Sequence, residues 1–223
     1  MKEKSAYAYV DGYNLYHGII SKRNTTPPGF TPFNSDRPWG DLLWLNLESF
    51  INSFKLPNLI LKKIKFFEAP SYKPHSLLRQ QIYRNALLSL KTMDEDCFFG
   101  GSFKPNLIKC PTCESEFYNH IEKQTDVEIS TEILYDYFQG NCDAIILISG
   151  DSDQIPVIKK IKKIQPDYDV YVIFPPSRKS DELASLLGRN NWKKATYYCL
   201  IQNQFNDPLL YDGKTINKPS EYK

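Results

Sequence analysis

Two apolar segments of this sequence end in carboxylates. Residues 145–148 run into Ser-Gly-Asp-Ser-Asp, which contains Asp151 and Asp153, and the apolar segment 6–10 runs into Asp11. Apolar runs of this length, bounded by turn residues, are typical of buried strands in a parallel sheet. In open α/β sheets, chemistry gathers beyond the carboxyl ends of the strands. The spacing therefore predicts that these aspartates share one edge of a sheet and begin a metal site.

A further carboxylate, Asp126, lies at the start of a segment with helical periodicity. Hard divalent cations such as Mg²⁺ take oxygen ligands, so a few carboxylates can hold one. Packed together without a cation, the same carboxylates would repel and raise one another's pKa. Each acid also has an ordinary structural explanation: an Asx turn for Asp11, a helix-dipole contact for Asp126 and a helix N-cap for Asp153. Their conjunction favours a metal site.

The rest of the chain alternates between strand and helix patterns. We predict strands over 6–10, 59–67, 143–148, 169–174 and 195–200, and helices over 13–22, 40–54, 74–92, 125–138, 154–164 and 180–188. This alternation predicts a three-layer α/β fold around a mostly parallel central sheet. We also expect a Pro-rich loop over 24–38, a hairpin or irregular strand pair around Gly100-Gly101, and a polar, peripheral tail after 201.

Four motifs together resemble those of a known family. They are Val-Asp-Gly-Tyr-Asn-Leu at 10–15, Lys-Gln-Thr-Asp-Val at 123–127, Ser-Gly-Asp-Ser-Asp at 149–153 and Phe-Pro-Pro-Ser-Arg-Lys-Ser at 174–180. In this order they are similar to the signatures of NYN-domain proteins, including the LabA-like branch, within the PIN-like ribonuclease superfamily. The resemblance implies a Rossmann-like PIN/NYN fold. It places the domain at 1–200, with a Cys-containing insertion at 97–123, and a C-terminal tail at 201–223.

The resemblance also implies an activity, metal-dependent cleavage of RNA, and roles for individual residues. The residues that match the catalytic set are the metal-binding acids Asp11, Asp126 and Asp151, the supporting acid Asp153, and Asn14, which orients the first aspartate or a water. Many PIN nucleases carry one more acid after an early helix. Glu48 and Glu68 are the candidates for that position here.

Charge is unevenly distributed along the chain, although the formal net charge is only +2. Residues 114–153 contain ten acids and one base, whereas residues 154–200 contain nine bases and four acids. An acidic centre beside a basic surface suits cations at the centre and a polyanion around it. Solvated helix faces that differ in sign would give the same counts. The predicted substrate-binding residues are Lys123, Ser149, Ser152, Arg178 and Lys179.

The five cysteines are spaced irregularly, which argues against a disulfide framework and for a reducing, cytoplasmic location. Cys110-Pro-Thr-Cys113 is half of a zinc knuckle, which Cys97 and His120 could complete as a structural Zn²⁺ site; two free thiols in a turn are the alternative. The apolar run at the N-terminus is too short for a secretory signal, and no stretch approaches the ~18 residues of a membrane span. We therefore expect no membrane partner.

These features predict a cytoplasmic ribonuclease that uses Mg²⁺ or Mn²⁺ and acts on single-stranded RNA, as a monomer or a homo-oligomer. Two alternatives stay open. One is a non-catalytic RNA-binding or regulatory module of the same fold, against which the intact acids at 11, 126 and 151 argue. The other is a phosphoesterase that acts on a small nucleotide; the uneven charge favours a polymer over this substrate.

Overall fold

The computed structural model describes residues 3–20 and 42–220. Its strands are β1 (Lys4–Asp11), β2 (Leu59–Phe67), β3 (Phe98–Phe99), β4 (Ser102–Lys109), β5 (Glu116–Lys123), β6 (Ala144–Ile148), β7 (Asp169–Phe174), β8 (Trp192–Lys194), β9 (Leu209–Tyr211) and β10 (Lys214–Ile216). Its helices are α1 (Gly12–Ile20), α2 (Leu47–Asn52), α3 (Pro74–Leu87), α4 (Thr125–Gln139), α5 (Ile155–Ile164), α6 (Asp181–Leu187) and α7 (Tyr197–Gln202). The loop predicted over 24–38 lies outside the described residues.

Six strands form one parallel sheet in the order β3-β2-β1-β6-β7-β8. Strand β1 is central, and its Val10 lies opposite Phe66 of β2 and Ile148 of β6. Because β1 and β6 are parallel neighbours, Asp11 and the segment 149–153 meet at the same edge of the sheet. The predicted three-layer α/β fold with a mostly parallel central sheet is confirmed.

Helices cover both faces of the sheet. The alternation of side chains along β1 sends Ala8 and Val10 to one core and Tyr9 to the other. Helices α1, α2, α3 and α7 bury their apolar sides against the first face, and α4, α5 and α6 against the second. Within the two described ranges, no helix is both long and apolar enough to cross a membrane.

The strand predicted over 195–200 is wrong, because this segment forms α7. Its run of aromatic and apolar residues has the composition of a strand. However, the Thr196 hydroxyl caps a helix by accepting a hydrogen bond from Cys199 N (3.2 Å). Tyr197 and Leu200, three residues apart, are buried together, whereas Tyr198 is 63% exposed. The edge of the sheet is formed by β8 instead.

The segment before α2 packs against the C-terminal part of the chain. Helix α2 is shorter than the helix predicted over 40–54, because Asn46 caps its N-terminus with its side-chain oxygen. Trp44, which precedes this cap, is fully buried, and its Nε1 donates to Asn206 O (3.1 Å). Phe205 is buried in the same core. The residues after 201 therefore help to close the first face of the sheet.

Strands β4 and β5 form an antiparallel hairpin outside the central sheet, with residues 102–109 paired to 116–123. The strand pair predicted around Gly100-Gly101 is wrong, because β3 joins the central sheet beside β2 while β4 pairs with β5. A Cβ at Gly101 would lie 2.3 Å from the carbonyl oxygen of Lys123. The missing side chain therefore lets the base of the hairpin close against the start of α4.

Candidate metal centre

Three aspartates from separate segments meet at the carboxyl edge of the sheet. Asp11 ends β1, Asp151 follows β6, and Asp126 lies in the first turn of α4. Each offers a carboxylate oxygen, and these oxygens all lie within 4.8 Å of one another. We call these three residues the carboxylate triad. The strand ends predicted that Asp11 and Asp151 would share this edge, and the first turn of α4 brings Asp126 beside them.

Asp11 is the most enclosed member of the triad, at 4% exposed. Its Oδ1 accepts a hydrogen bond from Asn14 N (2.9 Å), and its Oδ2 accepts one from the Ser149 hydroxyl (2.9 Å). Burial raises the pKa of Asp11 to about 7, and the charges of Asp126 and Glu122 add to the rise, whereas the two hydrogen bonds oppose it. Donors thus hold the carboxylate in one orientation, and no salt bridge of the described residues compensates its charge.

Asn14 links the start of α1 to the loop after β6. Its main-chain N–H binds Asp11, and its side-chain oxygen accepts a hydrogen bond from Gly150 N (3.0 Å). A Cβ at Gly150 would lie 1.5 Å from the carbonyl oxygen of Arg178, so no other residue fits this approach of two loops. The motif after β7 is thereby brought beside the triad.

Asp126 is placed by a tight turn between β5 and α4. Gln124 occupies this turn with a φ of 81°, in the left-handed region. The half-buried Asp126 side chain has a raised pKa, first because of burial and then because of the negative charges of Asp151, Asp153 and Glu122. Two triad members therefore have their charged forms disfavoured by burial and by neighbouring acids.

Asp151 caps the short 3₁₀ segment Ser152–Gln154. Its Oδ1 accepts a hydrogen bond from Asp153 N (2.9 Å), and its own N–H donates to the Ser149 hydroxyl (3.0 Å). The N-cap explanation considered for Asp153 therefore applies to Asp151 instead. Asp153 is exposed and lies outside the triad, although its charge acts on Asp126.

The triad borders a polar cleft of about 350 Å³. The residues that line it are Asp11, Tyr13, Asn14, His17, Glu122, Lys123, Gln124, Thr125, Asp126, Asp151 and Arg178. Sequence reasoning did not assign Tyr13, His17 or Glu122 to a site. The i, i+4 spacing of Tyr13 and His17 beside Asn14 was a usable signal, because it predicts one helix face. Glu122 had no such signal, since its position depends on the β4–β5 hairpin.

Of the five predicted substrate-binding residues, two line the cleft and three do not. Lys123 and Arg178 line the cleft. Ser149 is fully buried, and its hydroxyl donates a hydrogen bond to Asp11, so it orients a triad residue and does not face the cleft. Ser152 is exposed and does not line the cleft. Lys179 also lies outside the lining and instead contacts Asp181 (2.7 Å) and the ring of Trp192 (4.9 Å from Nζ to the centroid).

The two candidates for a further acid lie outside the triad. Glu48 accepts a hydrogen bond from the Thr92 hydroxyl (2.9 Å), away from the cleft. Glu68 borders a separate pocket of only about 40 Å³, and burial, with a smaller contribution from the charge of Glu122, raises its pKa to about 7. The additional acid that does line the cleft is Glu122, which accepts a hydrogen bond from the Thr125 hydroxyl (2.7 Å).

The proposed Cys₃His zinc site does not assemble within one chain. Cys110 and Cys113 lie in the turn of the β4–β5 hairpin. Cys97 is fully buried and its thiol donates to Asp94, while His120 stacks on the ring of Tyr72 at 3.7 Å. Across residues 3–20 and 42–220, the triad is the one group of three or more acidic, His or Cys side chains close enough to share a metal ion. The prediction that Cys97 and His120 complete this site is wrong.

Comparison with known proteins gives the family. The model of the NYN domain matches residues 8–187. The 6-hydroxy-3-succinoylpyridine 3-monooxygenase HspA of Pseudomonas putida is 22% identical, over 83% of this chain and 64% of that protein, so the chain spans less than two thirds of its length. The crystal structure of VPA0982, a protein of unknown function from Vibrio parahaemolyticus, shares the fold with a TM-score of 0.51. The match covers 87% of this chain and 94% of that one, at 15% sequence identity. The LabA-like branch stays a prediction. Because the matched residues include the whole triad and most of the sheet, the chain belongs to the NYN domain family.

Proposed function

We propose that this protein is a ribonuclease that hydrolyses single-stranded RNA with the help of Mg²⁺ or Mn²⁺. One observation carries the proposal: three carboxylate oxygens from three segments lie within 4.8 Å of one another beside an open polar cleft. NYN domains are part of the PIN-like nuclease superfamily, which supports the assignment of this cleft to RNA cleavage. The activity, the metal and the substrate are all part of the proposal.

The triad fits a hard divalent cation. All of its donors are carboxylate oxygens, the ligands that Mg²⁺ and Mn²⁺ favour. Burial and mutual repulsion raise the pKa values of Asp11 and Asp126, and a bound cation would remove both costs. When bound, the cation would supply Lewis-acid stabilisation of a phosphodiester oxygen and lower the pKa of a water.

The surrounding residues have the positions that this chemistry needs. Ser149 and Asn14 fix the orientation of Asp11 through hydrogen bonds of 2.9 Å each. Lys123 and Arg178 line the same cleft and carry the charge that attracts a phosphate backbone. The cleft therefore combines anionic groups for a cation with cationic groups for a polyanion.

A strip of aromatic rings supports RNA, and single strands in particular, as the substrate. We define the aromatic strip as Tyr13, Phe103, Tyr72 and His120. Tyr13 lines the cleft, and successive ring centroids of the strip are 5.8, 5.5 and 3.7 Å apart. Tyr13 is 36% and Tyr72 is 48% exposed, so both can reach a ligand. Unpaired bases stack on such rings, whereas paired bases in a duplex do not present their faces.

A second candidate function comes from the relative in Pseudomonas putida, whose name describes a monooxygenase acting on a substituted pyridine. A heteroaromatic ring could stack on Tyr13 or His17 in the cleft. The donor set favours phosphoester chemistry, because the described triad consists of carboxylates and non-haem iron oxygenases typically use two histidines with one carboxylate.

The test is cleavage of labelled single-stranded RNA by the purified protein, with Mn²⁺, Mg²⁺ or EDTA. Cleavage should require the metal and should be abolished in Asp151→Asn, because the amide still caps the Ser152–Gln154 segment but carries no charge. Asp167→Asn, at an exposed site, is the matched control and should keep full activity. Circular dichroism should show that both variants fold.

Other outcomes would redirect the assignment. Full cleavage by Asp151→Asn would refute the role of the triad. Tight RNA binding without cleavage would indicate a regulatory module, and neither binding nor cleavage would point to a small nucleotide or to the ring oxidation named for the relative.

A further inference from the structure

The turn of the β4–β5 hairpin presents two thiols together. Cys110 N donates to Ser115 O (2.9 Å), and Glu114 N donates to Cys110 O (2.9 Å), which closes the turn. Glu114 has a φ of 58°, in the left-handed region, so the chain reverses directly after the second cysteine. Cys113 is exposed, and its thiol lies 3.0 Å from the Ser115 hydroxyl in the same turn as Cys110. The turn therefore offers two adjacent soft ligands to the solvent.

No other cysteine or histidine of residues 3–20 and 42–220 joins the two thiols in a metal-binding group. Cys97 and Cys142 are buried, and Cys199 contacts the Ser53 hydroxyl (3.2 Å). His120 is stacked on Tyr72, and neither it nor another histidine among the described residues forms a metal-binding group with the two thiols. Residues 1–2, 21–41 and 221–223 contain no cysteine or histidine. Two thiols alone fall short of the four nitrogen or sulfur ligands of a structural zinc site.

We infer that Cys110 and Cys113 form one half of a zinc site that a second copy of this chain completes with the same two residues. A twofold axis through the ion would place the two identical turns face to face and give four thiolate ligands. Each thiol would release its proton on binding. The proposal thus commits to one partner, a second copy, because that partner supplies the missing pair of ligands in matching geometry.

Apolar side chains beside the turn support such a contact. Leu107 and Tyr118 are cross-strand partners and therefore share one face of the hairpin. Leu107 is 50% and Tyr118 is 69% exposed. Such side chains next to a metal-linked turn would be covered by the hairpin of the second copy, which adds burial of apolar surface to the metal ligation.

The proposed zinc site is independent of the carboxylate triad. The hairpin contacts the cleft at the end where Ser102 pairs with Lys123, and the two cysteines are at the opposite end, beyond the pair Lys109 and Glu116. Eight paired positions at about 3.4 Å per residue separate the two ends by roughly 24 Å. A failure of the ribonuclease assignment would therefore leave this inference untouched, and the reverse also holds.

The experiment measures zinc content and molecular mass together. Reduced full-length protein is mixed with Zn²⁺ in excess Mg²⁺, which is added to compete for the carboxylates, and is analysed by native mass spectrometry. We expect a dimer with one zinc ion per two chains and a monomer after EDTA. The double variant Cys110→Ser, Cys113→Ser should lose both the zinc and the dimer, whereas the control Cys199→Ser should keep them.

Cobalt substitution identifies the ligands. Co²⁺ in place of Zn²⁺ should give the intense thiolate charge-transfer absorption of a tetrahedral sulfur site in the wild-type protein and in Asp151→Asn, but not in the double cysteine variant. One zinc ion per monomeric chain would overturn the inference. So would equal zinc binding by the double cysteine variant, or no zinc binding by the reduced wild-type protein.

Discussion

Helix α4 carries a carboxylate near each end, and the two have opposite surroundings. Near the C-terminus, Asp136 is 1% exposed and accepts hydrogen bonds from Lys65 Nζ (2.6 Å), Tyr9 OH (2.7 Å) and Asn141 Nδ2 (2.8 Å). In the first turn, Asp126 faces two other carboxylates. Among the salt bridges of the described residues, none involves a member of the triad.

This contrast separates Asp136, which has ion-pair and hydrogen-bond partners within the chain, from Asp126, which lies at the proposed metal site. The charge of Asp136 is compensated within the chain, so this end of α4 fastens the helix to the sheet. No ion pair within residues 3–20 and 42–220 compensates the charge of the triad, although Asp11 is nearly as buried as Asp136. Uncompensated buried charge is costly, and a bound cation would supply the opposite charge. The same helix therefore has an anchor at one end and the proposed metal site at the other.

The largest effect is expected on stability, when the Asp136 anchor of α4 is removed. Asp136→Ala leaves Lys65 buried, with Glu132 as its remaining ion-pair partner among the described residues, so the free energy of unfolding should fall by about 3–5 kcal/mol. Urea denaturation measures this change. Asp167→Ala, at an exposed site, is the control and should change stability by less than about 0.5 kcal/mol. Equal losses in the two variants would contradict the role of Asp136 as an anchor.

The matching change at the other end of α4 should act on activity and not on stability. Asp126→Asn removes one carboxylate from the triad, so metal-dependent RNA cleavage should fall roughly 100-fold or more. Without metal, the variant should be at least as stable as the wild-type protein, because repulsion among the acids is relieved. Cleavage assays and urea denaturation in EDTA check the two parts. A large loss of stability in EDTA would place Asp126 with Asp136 as a structural acid.

The pH dependence of stability in the metal-free protein also tests the contrast between the triad and the Asp136 anchor. The pKa of Asp11 is raised in the folded state to about 7 from an ordinary value of 3.8. The unfolded chain therefore loses this proton first, and stability should fall as pH rises from about 4 to 7, by up to about 4 kcal/mol. Mg²⁺ should restore stability at pH 8 and have little effect at pH 5.

Thermal denaturation of Asp11→Asn isolates this contribution. Between pH 5 and 8, the stability of the variant should fall less than that of the wild-type protein, because the contribution of Asp11 is gone. Mg²⁺ should no longer stabilise the variant. Glu68, whose pKa is also raised to about 7, is present in both proteins and cancels in the difference. An unchanged pH profile would contradict the assignment.

A pair of serines in one motif tests how the triad is held. Ser149→Ala removes the donor to Asp11 Oδ2, so cleavage should fall about 10- to 100-fold with a higher requirement for metal. Ser152→Ala, only three residues away, should change neither, because Ser152 is exposed and outside the cleft lining. Titration of activity with Mn²⁺ measures both effects. A stronger effect at Ser152 would restore its predicted role in substrate binding.

The smallest expected effect concerns the aromatic strip. Tyr72→Ala should weaken binding of single-stranded RNA in EDTA by about 1 kcal/mol, roughly fivefold, and leave duplex RNA binding unchanged. Tyr198→Ala, an exposed tyrosine on α7, is the control. Fluorescence anisotropy measures the affinities. Equal weakening for single strands and duplexes would show that Tyr72 does not stack on bases.

Part of the candidate site could be predicted from local sequence patterns. The apolar runs before Asp11 and Asp151 indicated parallel strands, whose carboxyl ends must share an edge, so their proximity followed without coordinates. The resemblance added the role of Asp126. Local pattern failed at 195–200, where a strand-like composition folds as a capped helix because one side is buried and the other exposed.

Strand ends, helix starts and the family motifs are local properties, so the chain sequence alone determined the α/β class, the triad and its edge of the sheet. Only the tertiary structure decided the pairing of β4 with β5, the entry of Glu122 and Tyr13 into the cleft, and the separation of Cys97 from the hairpin turn. These features depend on contacts between residues distant in sequence, which periodicity and composition do not encode. For the same reason, only the tertiary contacts distinguish Asp136, which anchors α4 to the sheet, from Asp126, which lies at the proposed metal site.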